Sequence, residues 1–285
     1  MSVVDKLVKL IRETSSSLPP DVLKALKAAL RKERKGLSAA VVLKTILDNC
    51  AIAAKRGMPL CQDTGTLTFF VDERLRRKVT SDVIKRAVAI ATEKGYLRKN
   101  TIDAVTGKSY DDNCATGAPV IHYVSAPSSL IPHPSSLTLI LKGGGSENMS
   151  RQYSLPDSAL GAGRDLAGVR KCILDAVQKI QGYGCAPGIL GVCIGGDRAT
   201  GYEVAKEQLL RPLDESDKTG QTEIVKLGKR LLKEANSLGI GPMGLGGKTT
   251  LLGMKIAARP RVPASFFVTI AYMCWACRRK TATFR

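Results

Sequence analysis

Three cysteines stand where a segment ends and polar or flexible residues begin. Cys61 is at the tip of Gly57-Met-Pro-Leu-Cys-Gln-Asp-Thr-Gly65, Cys185 lies in Gly184-Cys-Ala-Pro-Gly188, and Cys274 follows the apolar run Phe266–Tyr272. Thiols at element ends are better placed for ligation or nucleophilic chemistry than for packing. Cys61 is followed at once by an amide (Gln62), a carboxylate (Asp63) and a hydroxyl (Thr64). A fourth stretch, Lys142-Gly-Gly-Gly-Ser-Glu-Asn148, puts three glycines and then three polar side chains after an apolar run. Such a turn brings main-chain N–H groups close to a ligand, often an anion.

Other metal chemistries find little support. The chain has eight cysteines and two histidines, and only Cys274 and Cys277 form a C-x-x-C pair. One pair cannot make a four-thiolate zinc site locally, and two histidines exclude a histidine-rich one. A metal centre here must collect distant cysteines. Three thiolates are one short of saturating a [4Fe–4S] cluster, and that deficit leaves one iron open as a Lewis acid. Such chemistry suits hydration and dehydration of hydroxy acids. Cys50, Cys172 and Cys193 fall on apolar helix or strand faces and read as core, while the loop cysteine Cys114 stays open between core and site. The glycine-rich stretch Gly239–Thr250 is no phosphate loop: counting back from Gly247-Lys248-Thr249, the first required glycine falls on Pro242, and a helix precedes it.

The elements that must hold these loops follow from periodicity. Residues 1–57 read as three helices, broken at Ser15–Pro20 and Gly36, with Ser38 capping the third. Leu67–Val71 is an apolar strand, Thr80-Ser-Asp82 opens a helix to about Lys94, and Arg98 follows in the next loop. Val120–Val124 and Leu137–Leu141 are expected to pair with each other across the Pro/Ser-rich connection from Pro127 to Ser136. Further on come a helix over Asp165–Gln181, a buried strand Ile189–Ile194, helices over Tyr202–Leu210 and Thr222–Leu238, and strands at Leu251–Ile256 and Phe266–Tyr272. The expectation is one α+β domain over residues 1–285. Its helical N-terminal part packs against small mixed or antiparallel sheets, with the three cysteine loops converging at one end.

With 44 basic residues against 25 acidic, the chain carries +19, which suggests anionic partners. The charges are spread along the chain, and five Phe, one Trp and seven Tyr supply no stacking platform for single strands, so nucleic acid is not the expected partner. No run of 18 apolar residues is present and Met1–Leu18 lacks the continuous apolar core of a signal peptide, so a cytoplasmic protein without a membrane span is expected.

Together the Cys61 loop, Lys142–Asn148, Gly239–Thr250 and Tyr272-Met-Cys-Trp-Ala276 resemble the class I fumarate hydratase / L(+)-tartrate dehydratase family, specifically its α subunit or N-terminal domain. The resemblance covers essentially the whole chain. It implies a hydro-lyase with a [4Fe–4S] cluster on Cys61, Cys185 and Cys274. Gln62 would contact substrate, Asp63 would sit beside it as a catalytic group, and Arg98 would hold a substrate carboxylate as a bidentate pair. Gly144, Gly145, Ser146 and Asn148 would belong to the substrate-binding turn. It also implies a β subunit that carries the rest of the active site, in a heterotetramer that acts on a small dicarboxylate. Three places depart from the family pattern: Val262 stands where a histidine is usual, Cys277 where the tartrate type has aspartate, and the Asn-containing stretch before Val120-Ile-His-Tyr123 is altered around Cys114–Pro119. A cluster-binding paralogue with impaired catalysis, a basic nucleic-acid-binding protein and a zinc-stabilised scaffold are the competing readings.

Overall fold

The computed structural model describes residues 1–126, 128, 130–214 and 222–284. Its elements confirm an α+β chain. The residues group into two compact units: Met1–Pro19, Leu47–Gly144 and Ala276–Arg285 form the first, Pro20–Ile46 and Gly145–Trp275 the second.

The first unit is built on a four-stranded mixed sheet in the order β2-β1-β3-β8, where β1 is Thr66–Asp72, β2 Val120–Val124, β3 Ser136–Lys142 and β8 Arg278–Thr283. The expected pairing of β2 with β3 is not made. β1 lies between them, parallel to β2 and antiparallel to β3. The reason is burial: every residue of β3 and five of the seven residues of β1 are buried, so both belong in the middle, whereas β2 is half-exposed along its length and fits an edge. Pro127 and Ser129 of the connection lie outside the described residues. Helix α1 (Val3–Ser16) starts from a capping box in which Ser2 and Asp5 bond each other's backbone N–H. With α4 (Ser81–Glu93, capped by Thr80) it covers the sheet, burying Leu7, Ile11 and Val88 against Phe69, Leu139 and Phe284.

The second unit has its own mixed sheet, β4-β7-β5-β6, from Arg151–Ser154, Phe267–Met273, Gly188–Gly195 and Leu251–Arg259 respectively. Here β5 is buried throughout, parallel to β6 and antiparallel to β7. Helices α6 (Leu166–Ile180) and α8 (Thr222–Ser237) contribute Val169, Ile173, Val177 and Leu231 to a core with Val192 and Ile270. Asp165 caps α6 and Asp197 caps α7 (Arg198–Gln208). The remaining helices are α2 (Pro20–Lys32), α3 (Ser38–Arg56) and the short α5 (Gly144–Asn148).

Candidate functional site

In the first unit the site begins with Leu60. This residue is buried and pinned at both ends: its N–H donates to Ser15 O (3.0 Å) and its carbonyl accepts from Asn49 Nδ2 (2.8 Å). The next residue, Cys61, is half-buried at the start of the polar turn. Asp63 follows, its Oδ1 accepting from Gly65 N (3.0 Å) and its main-chain carbonyl accepting from Arg278 Nη2 (2.8 Å). Gly65 has φ +79, and a Cβ there would run into the Lys142 carbonyl, so glycine is required. The Asp63 carboxylate lies against Gly143, its Oδ2 2.7 Å from where a Cβ would stand, and near Gly144.

Arg98 is brought to this turn. Its N–H donates to Thr64 Oγ1 (3.2 Å) and its Nη1 reaches the Gln62 carbonyl (3.4 Å), leaving the rest of the exposed guanidinium open to a ligand. Asn100 joins the same knot. Its amide meets the Thr64 hydroxyl at 2.9 Å and, turned to satisfy both its groups, accepts from the N–H of Thr64 and Gly65. A pocket of about 310 Å³ opens here, lined among others by Asp63, Gly65, Asn100, Thr101, Asn113 and Gly144. Gln62, Asp63, Arg98 and Gly144 thus share one neighbourhood with Cys61.

Asn113 organises that neighbourhood and was not singled out from sequence. Fully buried at φ 60, its Oδ1 accepts from the N–H of Asn100 (2.8 Å) and Thr101 (3.0 Å). Its Nδ2 donates to Thr92 Oγ1 (3.0 Å) and the Arg98 carbonyl (2.7 Å). One side chain therefore shapes the whole Arg98–Thr101 loop. The signal available was slight: an Asn in a polar loop, a residue type that tolerates positive φ.

In the second unit Cys185 and Cys274 come together. Cys185 sits in the tight turn between α6 and β5, its N–H donating to Gly182 O (3.1 Å), and Trp275 N donates to Cys185 O (3.3 Å). The Gly239–Thr250 loop supports this turn from behind: Met243 N donates to Ala186 O (2.9 Å), and Gly188 N donates to Thr250 O (2.9 Å). Its glycines serve the backbone, since Gly241, Gly244, Gly246 and Gly247 all have positive φ and a Cβ at Gly241 would run into the Gly246 carbonyl. Between the two cysteine segments lies the ring of Tyr272, packed so tightly against Gly184 and Gly188 that neither position has room for a Cβ. Burial above all, then the thiols of Cys274 and Cys185, push its phenol well above the usual tyrosine value, and among the described residues the hydroxyl has no hydrogen-bond partner. The remaining substrate-turn residues, Gly145, Ser146 and Asn148, lie on α5 in this unit, where Glu147 pairs with Lys206.

The other cysteines separate from these three. Burial pushes the thiols of Cys50 and Cys193 up to about 11 and that of Cys172 to about 12, which keeps them protonated core groups. Cys114 is likewise raised to about 11, first by partial burial and then by Asp112, and packs at the edge of the first unit's core. Cys277 is buried. Among the described residues, no three His, Cys, Asp or Glu side chains form a ready-made ion site. The donor set still fits an iron–sulfur group. Cys61, Cys185 and Cys274 are thiols on loops that reach the surface, and among the described residues of the second unit the buried Tyr272 hydroxyl, whose ring packs on the turn around Cys185, has no acceptor. Val262, at the departure from the family pattern, is exposed in the turn before β7. Among the described residues no helix is long and apolar enough to cross a membrane.

The family model described as Fumarate hydratase (Fumerase) matches residues 4–283. A protein of Geobacillus stearothermophilus named as a class I fumarate hydratase is 46% identical over 280 residues, spanning 96% of this chain and 53% of that relative. The chain thus spans about half the length of that protein. A Methanocaldococcus jannaschii protein named as L(+)-tartrate dehydratase subunit alpha is 35% identical over 98% of this chain and 96% of its own length. The L(+)-tartrate dehydratase subunit alpha of Escherichia coli (strain K12) is 27% identical over 98% and 90%. On the length of the match and these identities, the chain belongs to the fumarate hydratase (Fumerase) family.

Proposed function

We propose that this chain is the α subunit of a [4Fe–4S]-dependent hydro-lyase that reversibly dehydrates a small 2-hydroxy dicarboxylic acid of the malate or tartrate kind. The observation that carries the reading is Arg98, an open guanidinium fastened to the Cys61-Gln62-Asp63 turn of a chain in this family. Cys61, Cys185 and Cys274 would hold the cluster. When bound, such a cluster supplies an iron with a coordination position left open, able to act as a Lewis acid.

The chain's own residues do the rest of the work assigned to it. The Arg98 Nε and Nη2, which Gln62 does not engage, pair with a substrate carboxylate, and this fixes one end of the molecule. Gln62, exposed beside Cys61, donates its amide to a substrate oxygen. The Asp63 carboxylate, held through Oδ1 by Gly65 N and through its main chain by Arg278, faces the pocket as a polar wall that orients the substrate. Gly144, Gly145, Ser146 and Asn148 offer a helix start to the anion. Residues for the opposite side of the substrate come from a β subunit in an α₂β₂ assembly. We read both units as parts of one α-subunit domain working in the cytoplasm.

Anaerobic purification with the β partner, iron and sulfide analysis, and assays with fumarate and tartrate test this reading. Near four iron per chain, lost in Cys61→Ala, with turnover only when both subunits are present, is the expected result. A chain that stays iron-free after reconstitution under strict anaerobiosis, or that turns over at full rate alone, sinks it.

A further inference from the structure

Tyr272 is a hydrogen-bond donor kept in place with nothing to donate to. Its backbone N–H is tied to Ser150 Oγ (3.2 Å) near the end of β7, and its ring is clamped between Gly184 and Gly188, the two glycines that flank Cys185. The residue is 1% exposed, so water does not reach the hydroxyl, and no described residue accepts from it. Folded proteins rarely leave such a group standing without a reason. A phenylalanine would fill the same space and remove the cost. The thiols of Cys274 and Cys185 both act electrostatically on the phenol, Cys274 standing two residues further along the chain and Cys185 in the turn whose Gly184 and Gly188 the ring packs against.

We propose that Tyr272 is a positioning residue whose hydroxyl donates to a cysteine sulfur, of Cys185 or Cys274, once these act as thiolate ligands. The inference rests on the cluster reading above. Neutral thiols are poor acceptors, whereas a metal-bound thiolate accepts well, so the acceptor that Tyr272 lacks is created by ligation. Donation draws electron density from the sulfur, makes the cluster easier to reduce, and holds the ligand in its ligating rotamer. A purely steric role for the ring makes no such demand on the oxygen.

The test is Tyr272→Phe in the full chain, reconstituted anaerobically beside wild type. Circular dichroism and thermal unfolding of the metal-free proteins confirm that both fold. The expected result has three parts: near-equal initial iron and sulfide, about tenfold faster iron loss to a chelator in the variant, and a lower reduction potential by titration followed with electron paramagnetic resonance. An exchangeable proton coupled to the cluster should be seen in wild type and missing from Tyr272→Phe. Equal retention, potential and proton coupling in the two loaded proteins overturns the Tyr272 role alone. Wild type that takes up no iron and sulfide overturns it together with the cluster reading.

Discussion

The N–H of Trp275 donates to the carbonyl of Cys185 over 3.3 Å, joining the segment after β7 to the turn before β5 although 90 residues of sequence separate them. Two of the proposed ligands are therefore set by the backbone, not by the reach of flexible side chains. The Tyr272 ring packs against Gly184 and Gly188, on either side of Cys185. Gly188→Ala pushes a methyl into that ring, so we expect a loss of about 1–3 kcal/mol in stability from overpacking. Iron uptake should fall with it. Urea unfolding of the metal-free chain and iron analysis after reconstitution check both, and an unaltered urea midpoint would show that the turn is looser than its geometry implies.

Asn113 makes its prediction through four bonds. Asn113→Ala removes the partners of Asn100 N, Thr101 N, Thr92 Oγ1 and the Arg98 carbonyl, and should cost about 2–3 kcal/mol. The effect should be local as well as global. Amide exchange at Arg98–Thr101 should quicken more than in β1 or β3, with weaker binding of a dicarboxylate in the assembled enzyme. Uniform acceleration across the unit would show that Asn113 serves the core and not the Arg98 loop.

Arg278 clamps the other side of the Cys61 turn. It is 1% exposed, bonds Asp63 O through Nη2, and leaves Nε and Nη1 without partners among the described residues. Arg278→Met removes a buried charge at small or favourable net effect on stability, yet frees the Asp63 carbonyl. The expected outcome is an unfolding midpoint within about 1 kcal/mol of wild type with faster exchange at Thr64 and Gly65. Unchanged exchange there would place the anchor of the turn elsewhere.

Acid stability should depend on Asp72. Burial alone would raise its pKa, but hydrogen bonds from Arg74 N, Ser135 N and the Arg74 side chain outweigh burial and hold it below the usual carboxylate value. A depressed pKa means the stabilisation is complete above the unfolded value of about 4 and disappears as pH falls through the folded one. Asp72→Asn should therefore cost about 1–3 kcal/mol at pH 7 and progressively less below pH 4. Parallel unfolding curves of the two proteins at all pH values would contradict this.

Much of this was legible beforehand, for identifiable reasons. Caps such as Thr80, Asp165 and Asp197 announce their helices locally, and the apolar runs of β1, β3 and β5 are long enough to stand out. The loop tips carrying Cys61 and Cys185 were visible because their thiols stand close to Gly or Pro, and Cys274 because it follows an apolar run. Strand order was not, since sequence adjacency suggested β2 with β3 while burial on both faces put β1 between them. β8 was missed because Arg278-Arg-Lys-Thr-Ala-Thr283 is too polar to read as a strand, and it is held by its ladder to β3. Asn113 and Tyr272 act through contacts far away in sequence, and periodicity cannot show that.

The place of β8 in its sheet also bears on synthesis. β3 is complete once Lys142 has left the ribosome, yet its second neighbour, Arg278–Thr283, is translated more than a hundred residues later. At typical translation speeds the nascent chain carries an apolar strand with one open edge for on the order of ten seconds. The second unit, finished at Trp275, is complete before that edge can close. Chaperone occupancy on stalled nascent chains should therefore persist past Trp275 and fall only when Thr283 emerges.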